Sequence, residues 1–261
     1  QLIKKEFSVT VEKDAGFGSN FSDEDYVAAG ATVVDTAAVY VADVLLKVNI
    51  FSKEEIAQMK NGGACMSIMY AYNHPEILEE MNKKSIMSFS MDAVPRISRA
   101  QKMDCLSSQA NLAGYKSVIL GANYLEKIFP LMMTASGTIT PAKVLIFGAG
   151  VAGLQAIATA KRLGAVVEVS DVRPETKEQV ESLGGRFLTV EGAEEVKVEG
   201  GYASEVSAEF LQKQKELIQN KIKDSDLVIT TALVMGKKSP ILVTEEMVKS
   251  MKKGAVIVDM A

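Results

Sequence analysis

The stretch that decides the fold is KVLIFGAGVAGLQAIATAKRLGAVVEVSD, residues 143–171. Its apolar and polar residues follow the order of a strand, a glycine turn, a helix and a second strand. The turn carries the G-x-G-x-x-G spacing, with its glycines at Gly148, Gly150 and Gly153. That spacing alone is a weak signal, but the flanking strand and helix and an acid about 20 residues further on make it specific. The stretch therefore predicts a dinucleotide-binding βαβ unit.

The glycine turn predicts where a pyrophosphate would bind. Glycine lets the backbone turn tightly and approach a phosphate, and the N-terminus of the next helix offers unpaired N–H groups and a positive dipole end. We expect Val151 and Ala152, the residues after the second glycine, to bind the nucleotide together with the three glycines. The alternative is a glycine turn that only packs the helix on the sheet.

Asp171 ends the second strand of this unit, close to the position expected for the acid that contacts the adenosine ribose. Its carboxylate would accept hydrogen bonds from the ribose hydroxyls and would repel a 2′-phosphate, which favours NAD(H) over NADP(H). Arg173 weakens this preference slightly, because a nearby arginine can accept a 2′-phosphate. Val172, between the two, is expected to belong to the same part of the site.

A further set of residues is expected at the same edge of the sheet. Open α/β sheets bind ligands at the carboxyl ends of their strands, and the strand in DLVITTAL, residues 226–233, ends there. We expect the backbone of Thr231, Ala232 and Leu233 to line the dinucleotide. The alternative is a plain connection from strand to loop.

The rest of the chain repeats the alternation of strands and short helices. Residues 1–106 contain several such pairs, and serine N-caps are expected at Ser22 and Ser52 for two of the helices. Residues 108–129 have the apolar spacing of one long helix. A turn-rich linker at 134–143 and an acidic, glycine-rich surface loop at 190–210 are expected in the second unit. We predict an α/β protein with two Rossmann-like parallel-sheet subdomains, residues 1–106 and 107–261, separated by a nucleotide-binding cleft.

Composition excludes several functions. The 261 residues carry a net charge of −4, few aromatics and no tryptophan, which argues against nucleic acid as a partner. His74, Cys65 and Cys105 form no metal-ligand pattern, so no metal site is expected. His74 is expected in a loop, or as a cap, before a helix at 75–84.

No apolar run is long enough to span a bilayer. Because the sequence starts without methionine and stops at an apolar strand, we expect a fragment of a longer protein.

One polar stretch lies between apolar segments: VPRISRAQKMDCLSSQANLAGY, residues 94–115. It concentrates arginine, glutamine, aspartate, serine and asparagine side chains. Such donors and acceptors suit the carboxamide and the ribose of a nicotinamide, and can hold the ring in one pose. The alternative is a structural loop with an arginine–aspartate ion pair.

Five segments together resemble one protein family: PRISRAQKMDCLSSQANLAGY, GAGVAGLQA, DVRPETKEQVESLGG, GGYASEV and TTALVMGKKSP. They are similar to the NAD(H)-binding alpha component of proton-translocating nicotinamide nucleotide transhydrogenase, in the alanine dehydrogenase/transhydrogenase superfamily. The resemblance runs over most of the chain and is densest at 94–261, so it is far more specific than the glycine spacing.

The resemblance implies hydride transfer from NADH on this chain to NADP⁺ on a separate NADP(H)-binding domain. A membrane domain would couple the transfer to proton translocation. It also implies a homodimer and a peripheral place on a membrane-bound enzyme, on the bacterial cytoplasmic or mitochondrial matrix side. Hydride transfer between two nucleotides needs no general acid or base, because the reacting carbon exchanges no proton.

The resemblance also implies roles for single residues. The family's polar loop falls on Arg96, Gln101 and Asp104, with Ser107 beside them. This loop would position the dihydronicotinamide and its ribose, and Gln101 would reach towards the NADP(H)-binding domain. The family's mobile loop, which closes over bound nucleotide, falls on Gly201 and Tyr202.

Two other interpretations stay open. Alanine dehydrogenase resembles the chain in DVLLKVN and GAVIVDMA, but it places a substrate-binding lysine two residues after Lys47, where this chain has Asn49. It also has a catalytic histidine in the segment that matches residues 67–72, where this chain has none, although His74 lies only a few residues on. A non-catalytic NAD-sensing module would keep the glycine turn and Asp171 without needing the polar stretch.

Overall fold

Two α/β units, Gln1–Asp104 and Cys105–Ala261, make up the chain in a computed structural model. The structure describes residues 1–189, 197–199, 202–205, 208–232 and 239–261. Both units contain parallel strands that alternate with helices, which confirms the predicted α/β class.

The N-terminal unit contains a parallel strand pair and a three-stranded parallel sheet. Its strands are β1 (Thr10–Glu12), β2 (Thr32–Val34), β3 (Val44–Leu46), β4 (Ala64–Ser67) and β5 (Met87–Ser90), and its helices are α1 (Asp23–Ala28), α2 (Thr36–Val39), α3 (Lys53–Gln58) and α4 (Pro75–Lys83). β1 pairs with β2, and β3, β4 and β5 pair in that order. Leu45 and Cys65 on the sheet form one buried cluster with Ile56 on α3 and Met81 on α4. Burial of a leucine, isoleucine or methionine contributes about 1.5–3 kcal/mol.

Capping boxes fix the starts of α1 and α3. The Ser22 hydroxyl accepts a hydrogen bond from the backbone N–H of Asp25, whose carboxylate accepts one from the backbone N–H of Ser22. Ser52 and Glu55 repeat this arrangement at α3. Both starts agree with helices expected from the sequence, and each such cap is worth about 1 kcal/mol.

The C-terminal unit is built on a five-stranded parallel sheet. The strands of this unit are β6 (Met132–Thr134), β7 (Gly137–Ile139), β8 (Lys143–Phe147), β9 (Val166–Ser170), β10 (Arg186–Phe187), β11 (Lys197–Glu199), β12 (Tyr202–Glu205), β13 (Leu227–Thr230) and β14 (Val256–Asp259). Its helices are α5 (Cys105–Tyr124), α6 (Val151–Arg162), α7 (Lys177–Ser182), α8 (Ala208–Ile222) and α9 (Glu245–Ser250). The sheet order is β10-β9-β8-β13-β14, which matches the 3-2-1-4-5 part of a doubly wound dinucleotide-binding sheet. The strand–turn–helix–strand prediction for 143–171 is therefore confirmed.

Helix α5 packs against the first turn of α6 through a glycine. A Cβ atom on Gly114 would lie 2.1 Å from the carbonyl oxygen of Ala152. Further along α5, a Cβ atom on Gly121 would lie 2.6 Å from a side-chain carbon of Leu227 on β13. Both contacts exclude a larger residue, so α5 lies directly on the glycine-turn helix and the sheet. The long helix expected at 108–129 is confirmed, but it begins at Cys105 and ends at Tyr124.

A buried carboxylate ties together the amino ends of the strands. The Asp226 side chain is 8% exposed. It accepts hydrogen bonds from the backbone N–H of Lys143 at 2.8 Å and from the ammonium groups of Lys127 at 3.0 Å and Lys252 at 2.9 Å. Burial raises the pKa of this carboxyl, but the three hydrogen bonds lower it more, and the pKa lies below its usual value.

Two segments differ from the sequence prediction. The turn-rich linker expected at 134–143 is partly structured, because β6 and β7 form an antiparallel hairpin. The irregular loop expected at 190–210 contains the antiparallel pair β11–β12 and the start of α8, in the part of it that the structure describes. Strands of three or four residues are too short for an alternating pattern to be visible in the sequence.

Neither a membrane-spanning helix nor a metal-binding cluster occurs within the described ranges. None of the helices there has the length and apolar character needed to cross a bilayer. Within the same ranges, no group of three or more histidine, cysteine, aspartate and glutamate side chains is arranged to hold a metal ion.

Candidate nucleotide-binding site

The glycine turn joins β8 to α6 at the carboxyl edge of the C-terminal sheet. Gly148 has φ +97°, a left-handed conformation that favours glycine. A Cβ atom on Gly148 would lie 2.5 Å from Thr231 Oγ1, and one on Gly153 would lie 1.8 Å from the carbonyl oxygen of Gly148. The packing of the protein itself therefore requires two of the three glycines.

Gly150 has a different environment, since a Cβ atom there would meet nothing within 4 Å. Among the described residues no side chain caps the N-terminus of α6, a helix of 12 residues. Val151 and Ala152 form its first turn, exposed and half-buried respectively. The open space lies before backbone N–H groups and the positive end of the helix dipole, so both the space and the chemistry fit a pyrophosphate.

Asp171 follows β9, and its carboxylate reaches the glycine turn. Oδ2 accepts hydrogen bonds from the backbone N–H of Ala149 at 2.6 Å and from Nη2 of Arg173 at 2.8 Å. Oδ1 accepts from the backbone N–H of Arg173 at 2.8 Å and from its Nε at 3.0 Å. The side chain of Asp171 is 4% exposed and that of Arg173 is 19% exposed. The protein's own donors thus occupy the oxygens that the sequence predicts for ribose hydroxyls.

These hydrogen bonds keep Asp171 ionised. Burial raises the pKa of its carboxyl, but the guanidinium of Arg173 and the backbone N–H groups of Ala149 and Arg173 lower it more, so the pKa lies below its usual value. An ionised carboxylate is an acceptor only, as hydrogen bonding to two hydroxyls requires. Val172 is half-buried between the two charged residues.

Thr231, the residue after strand β13, stabilises the glycine turn through hydrogen bonds. Its backbone N–H donates to the carbonyl oxygen of Phe147 at 2.8 Å. Its hydroxyl lies 2.9 Å from the same oxygen and 3.2 Å from the carbonyl oxygen of Gly148, and donates to them. The sequence predicts Thr231 only as backbone that lines the dinucleotide. Its side chain has a structural task that no local motif indicates, because its partners are 83 and 84 positions away in sequence.

The residues predicted to position the nicotinamide fall on both sides of the point in the chain where the first unit ends. Arg96 precedes a 3₁₀ segment, Ser98–Met103, which contains Gln101. Asp104 follows this segment and donates its backbone N–H to the carbonyl oxygen of Gln101 at 3.2 Å. Ser107 belongs to the C-terminal unit, in the first turn of α5. Arg96 and Gln101 are exposed, whereas Asp104 and Ser107 are half-buried.

Of the four remaining predicted site residues, two lie within the described ranges. Ala232 follows Thr231 and is half-buried. Tyr202 is the first residue of β12. Gly201 and Leu233 lie outside the described residues.

The carboxyl edge of the N-terminal sheet carries Lys47 just after β3. Its ammonium donates to both carboxylate oxygens of Glu55, to Oε2 at 2.7 Å, and the hydroxyl of Tyr40 donates to Oε1 at 2.9 Å. His74 precedes α4 as expected, but its side chain does not cap that helix; its Nδ1 lies 3.3 Å from a carboxylate oxygen of Glu76 in an exposed position.

Comparison with known proteins gives one consistent family. Models of the N-terminal and C-terminal domains of alanine dehydrogenase/PNT match residues 1–113 and 117–261. An alpha subunit of NAD(P) transhydrogenase from Rhodospirillum rubrum is 50% identical over 270 residues, which cover 100% of this chain and 70% of that protein. Alanine dehydrogenase of Staphylococcus saprophyticus is 32% identical over 265 residues, which cover 100% of this chain and 65% of that protein. The crystal structure of a transhydrogenase from Sinorhizobium meliloti matches with a TM-score of 0.88 and 45% identity, over 100% of this chain and 71% of that one.

Proposed function

Because this chain belongs to the alanine dehydrogenase/PNT family, we propose that it is the NAD(H)-binding component of a proton-translocating NAD(P) transhydrogenase. The observation that carries the proposal is the chain's 50% identity, over its full length, to a transhydrogenase alpha subunit, against 32% to an alanine dehydrogenase. As a member of this family, the chain is an oxidoreductase.

The glycine turn is the proposed binding site of the pyrophosphate. Gly150 leaves room for it, and the N-terminus of α6 directs N–H groups towards it. Asp171 lies one strand away, where its carboxylate accepts hydrogen bonds from the adenosine ribose and disfavours a 2′-phosphate. NAD(H) is therefore the nucleotide of this chain, and NADP(H) binds to a separate domain.

The polar stretch is proposed to orient the nicotinamide end of the nucleotide. NADH supplies the hydride when it is bound. Arg96, Asp104 and Ser107 hold the dihydronicotinamide and its ribose in one pose, and Gln101 reaches towards the NADP(H)-binding domain. Orientation of two reactants at ~3–3.5 Å contributes up to about 7–11 kcal/mol to a barrier reduction in ideal cases.

Two further segments are proposed to enclose the nucleotide. Gly201 and Tyr202 belong to the segment that closes over it, and the backbone of Ala232 and Leu233 lines it. Val172 packs beside the adenosine. Closure excludes water, which protects a hydride in transit from side reactions.

The chain's side chains suit a reaction without proton exchange. The sequence contains one histidine, His74, whose side chain is 42% exposed and lies beside Glu76. Asn49 replaces the substrate-binding lysine of alanine dehydrogenase, and Lys47 is held by Glu55. An amine oxidation needs a base and a carboxylate-binding cation, so these features favour the transhydrogenase.

The proposed partners follow from the same reaction. An NADP(H)-binding domain accepts the hydride, and a membrane domain couples the transfer to proton movement, with this chain on the cytoplasmic or matrix side. A second copy of the chain completes a homodimer. The hairpin β6–β7 supports the homodimer, because Met133 is 72% exposed, and Met132 and Ile139 on the same hairpin are exposed as well. Exposed apolar side chains in a cluster favour a protein contact.

A reconstitution experiment tests this proposal. The purified chain, with NADH, should transfer little hydride alone and should transfer it rapidly to NADP⁺ once an NADP(H)-binding domain is added. Asp104→Asn should keep the fold and slow the single-turnover transfer strongly. Asp43→Asn, on an exposed side chain of the same unit, is the matched control and should leave the rate unchanged.

Two results would contradict the proposal. Alanine-dependent reduction of NAD⁺ by the chain alone would identify an alanine dehydrogenase. An Asp104→Asn variant with an unchanged transfer rate would remove the polar stretch from the reaction.

A further inference from the structure

Arg173 holds Asp171 with a two-pronged contact. Its Nε and Nη2 each donate to a different oxygen of the carboxylate, at 3.0 Å and 2.8 Å. An ionised carboxylate offers about four lone-pair positions, and all four are filled here: two by backbone N–H groups and two by this guanidinium fork. The other two donors are backbone N–H groups of Ala149 and Arg173, so of the four donors only the two of the fork can move by rotation of a side chain.

The two positions held by the fork have the arrangement that a ribose diol requires. The 2′- and 3′-hydroxyls are vicinal donors, and a carboxylate can accept one hydrogen bond from each on its two oxygens. The Asp171 side chain is 4% exposed and the Arg173 side chain is 19% exposed, so the pair is shielded from solvent. While the fork fills its two acceptor positions, Asp171 cannot accept hydrogen bonds from both ribose hydroxyls.

We propose that Arg173 is an internal substitute for the nucleotide's ribose: its guanidinium fork occupies Asp171 in the free protein and is displaced when the adenosine diol binds. This rests on the proposed NAD(H) site and adds a residue that sets its affinity. When the diol binds, the two charge-assisted hydrogen bonds from Arg173 to Asp171 are lost, and this loss offsets part of the binding free energy that the diol contributes. Arg173 thereby weakens nucleotide binding and keeps a buried carboxylate paired when no nucleotide is present.

The proposal predicts effects of opposite sign on stability and on affinity. Without the fork, Asp171 loses its charged partner in a buried place, which destabilises the free protein. The same loss frees two acceptor positions, which strengthens the binding of a diol. If Arg173 had a purely structural role, its replacement would lower both the stability of the protein and its affinity for NADH.

Titration calorimetry with NADH and thermal unfolding test the proposal on the intact chain. Arg173→Met, which keeps the length and removes the donors, should unfold at a lower temperature without nucleotide and bind NADH roughly tenfold more tightly. Arg173→Lys keeps the charge without the fork and should bind with an intermediate affinity. Arg186→Met is the matched control, because Arg186 is an exposed arginine on β10 that pairs with Glu168, and it should leave the affinity unchanged.

A pair of nucleotide fragments separates the diol from the charge. 2′-Deoxy-ADP lacks one of the two ribose hydroxyls. In the wild type, the guanidinium of Arg173 then keeps one of its hydrogen bonds to Asp171, which offsets part of the binding free energy that the missing hydroxyl would have contributed. The ratio of the dissociation constants of 2′-deoxy-ADP and ADP should therefore be larger in Arg173→Met than in the wild type.

Three results distinguish the possible failures. Affinities for NADH in both Arg173 variants that equal or fall below the wild-type value would overturn the role of Arg173. An unchanged ratio for the two ADP fragments would overturn it as well, since the effect would then not act through the diol. A wild-type chain that binds no NADH would instead overturn the proposed function.

Discussion

At the scale of single residues, two glycines of the turn have different reasons to be glycine. The packing of the protein requires Gly153, whereas only a bound ligand would require Gly150. A Cβ atom on Gly150 enters open space, whereas one on Gly153 collides with a backbone oxygen at 1.8 Å. We predict that Gly150→Ala keeps its unfolding temperature within about 2 °C of the wild type. Its NADH affinity should fall at least about tenfold, because the methyl group occupies the space proposed for the pyrophosphate. Titration and thermal unfolding measure both.

Gly153→Ala provides the contrasting variant. The collision with Gly148 forces the helix away from the strand, so the variant should lose more than about 2 kcal/mol of unfolding free energy. Equal NADH affinity of Gly150→Ala and the wild type would show that no phosphate approaches that glycine.

Asp171 is predicted to set the preference between the two nucleotides. Asp171→Ala removes the negative charge and releases the guanidinium of Arg173, which then attracts a 2′-phosphate. The ratio of NADPH to NADH affinity should rise by about one order of magnitude or more. Direct titration of both nucleotides measures the ratio. Continued full exclusion of NADPH would mean that another group selects the nucleotide.

The sequence predicted part of this residue-scale picture. The glycine spacing and the acid after the next strand identify the turn and Asp171, because both are local patterns with a fixed physical cause. The pairing of Asp171 with Arg173 is not visible in the sequence, since side-chain direction depends on the turn after β9. The tripeptide Asp-Val-Arg is compatible with either a free acid or a paired one.

At the scale of elements, strand β13 supports the glycine turn through Thr231, the residue that follows it. Thr231→Val keeps the shape and removes the hydroxyl that donates to the carbonyl oxygens of Phe147 and Gly148. We predict a loss of about 1 kcal/mol of unfolding free energy, with a weaker affinity for NADH because the turn is less well held. Chemical denaturation and titration measure the two effects.

A matched control for this variant is Thr32→Val, on an exposed position of β2 in the other unit. It should change neither quantity by a measurable amount. An NADH affinity of Thr231→Val equal to that of the control would limit Thr231 to a structural role.

Elements with strong local signals were predicted well. The capped helices α1 and α3 and the long helix α5 follow from serine caps and apolar spacing. The hairpin β6–β7 was missed because it has three residues in each strand, and its stability depends on partners that the local sequence does not contain. The close approach of Gly114 to α6 was likewise hidden, since it joins residues far apart in the chain.

At the scale of the whole molecule, Asp226 makes the stability of the C-terminal unit depend on pH. Its folded pKa lies below the usual value, so it binds fewer protons when folded than when unfolded. Its contribution is therefore full above the usual carboxyl range and is lost as the pH falls through that range and below it.

Asp226→Asn tests this dependence. The variant should lose about 1–3 kcal/mol of unfolding free energy at pH 7, because the hydrogen bonds from Lys127 and Lys252 lose their charged acceptor. The difference from the wild type should shrink as the pH is lowered. Urea denaturation at a series of pH values measures it, and a constant difference would contradict the assignment.

For the whole chain, we propose that it holds NADH with its pyrophosphate at the glycine turn and its reduced ring at the polar stretch. A crystal structure of the chain with bound NADH tests it most directly. We predict the pyrophosphate in front of Gly150 and the dihydronicotinamide in contact with the segment from Arg96 to Ser107. A nicotinamide ring bound away from that segment would contradict the claim.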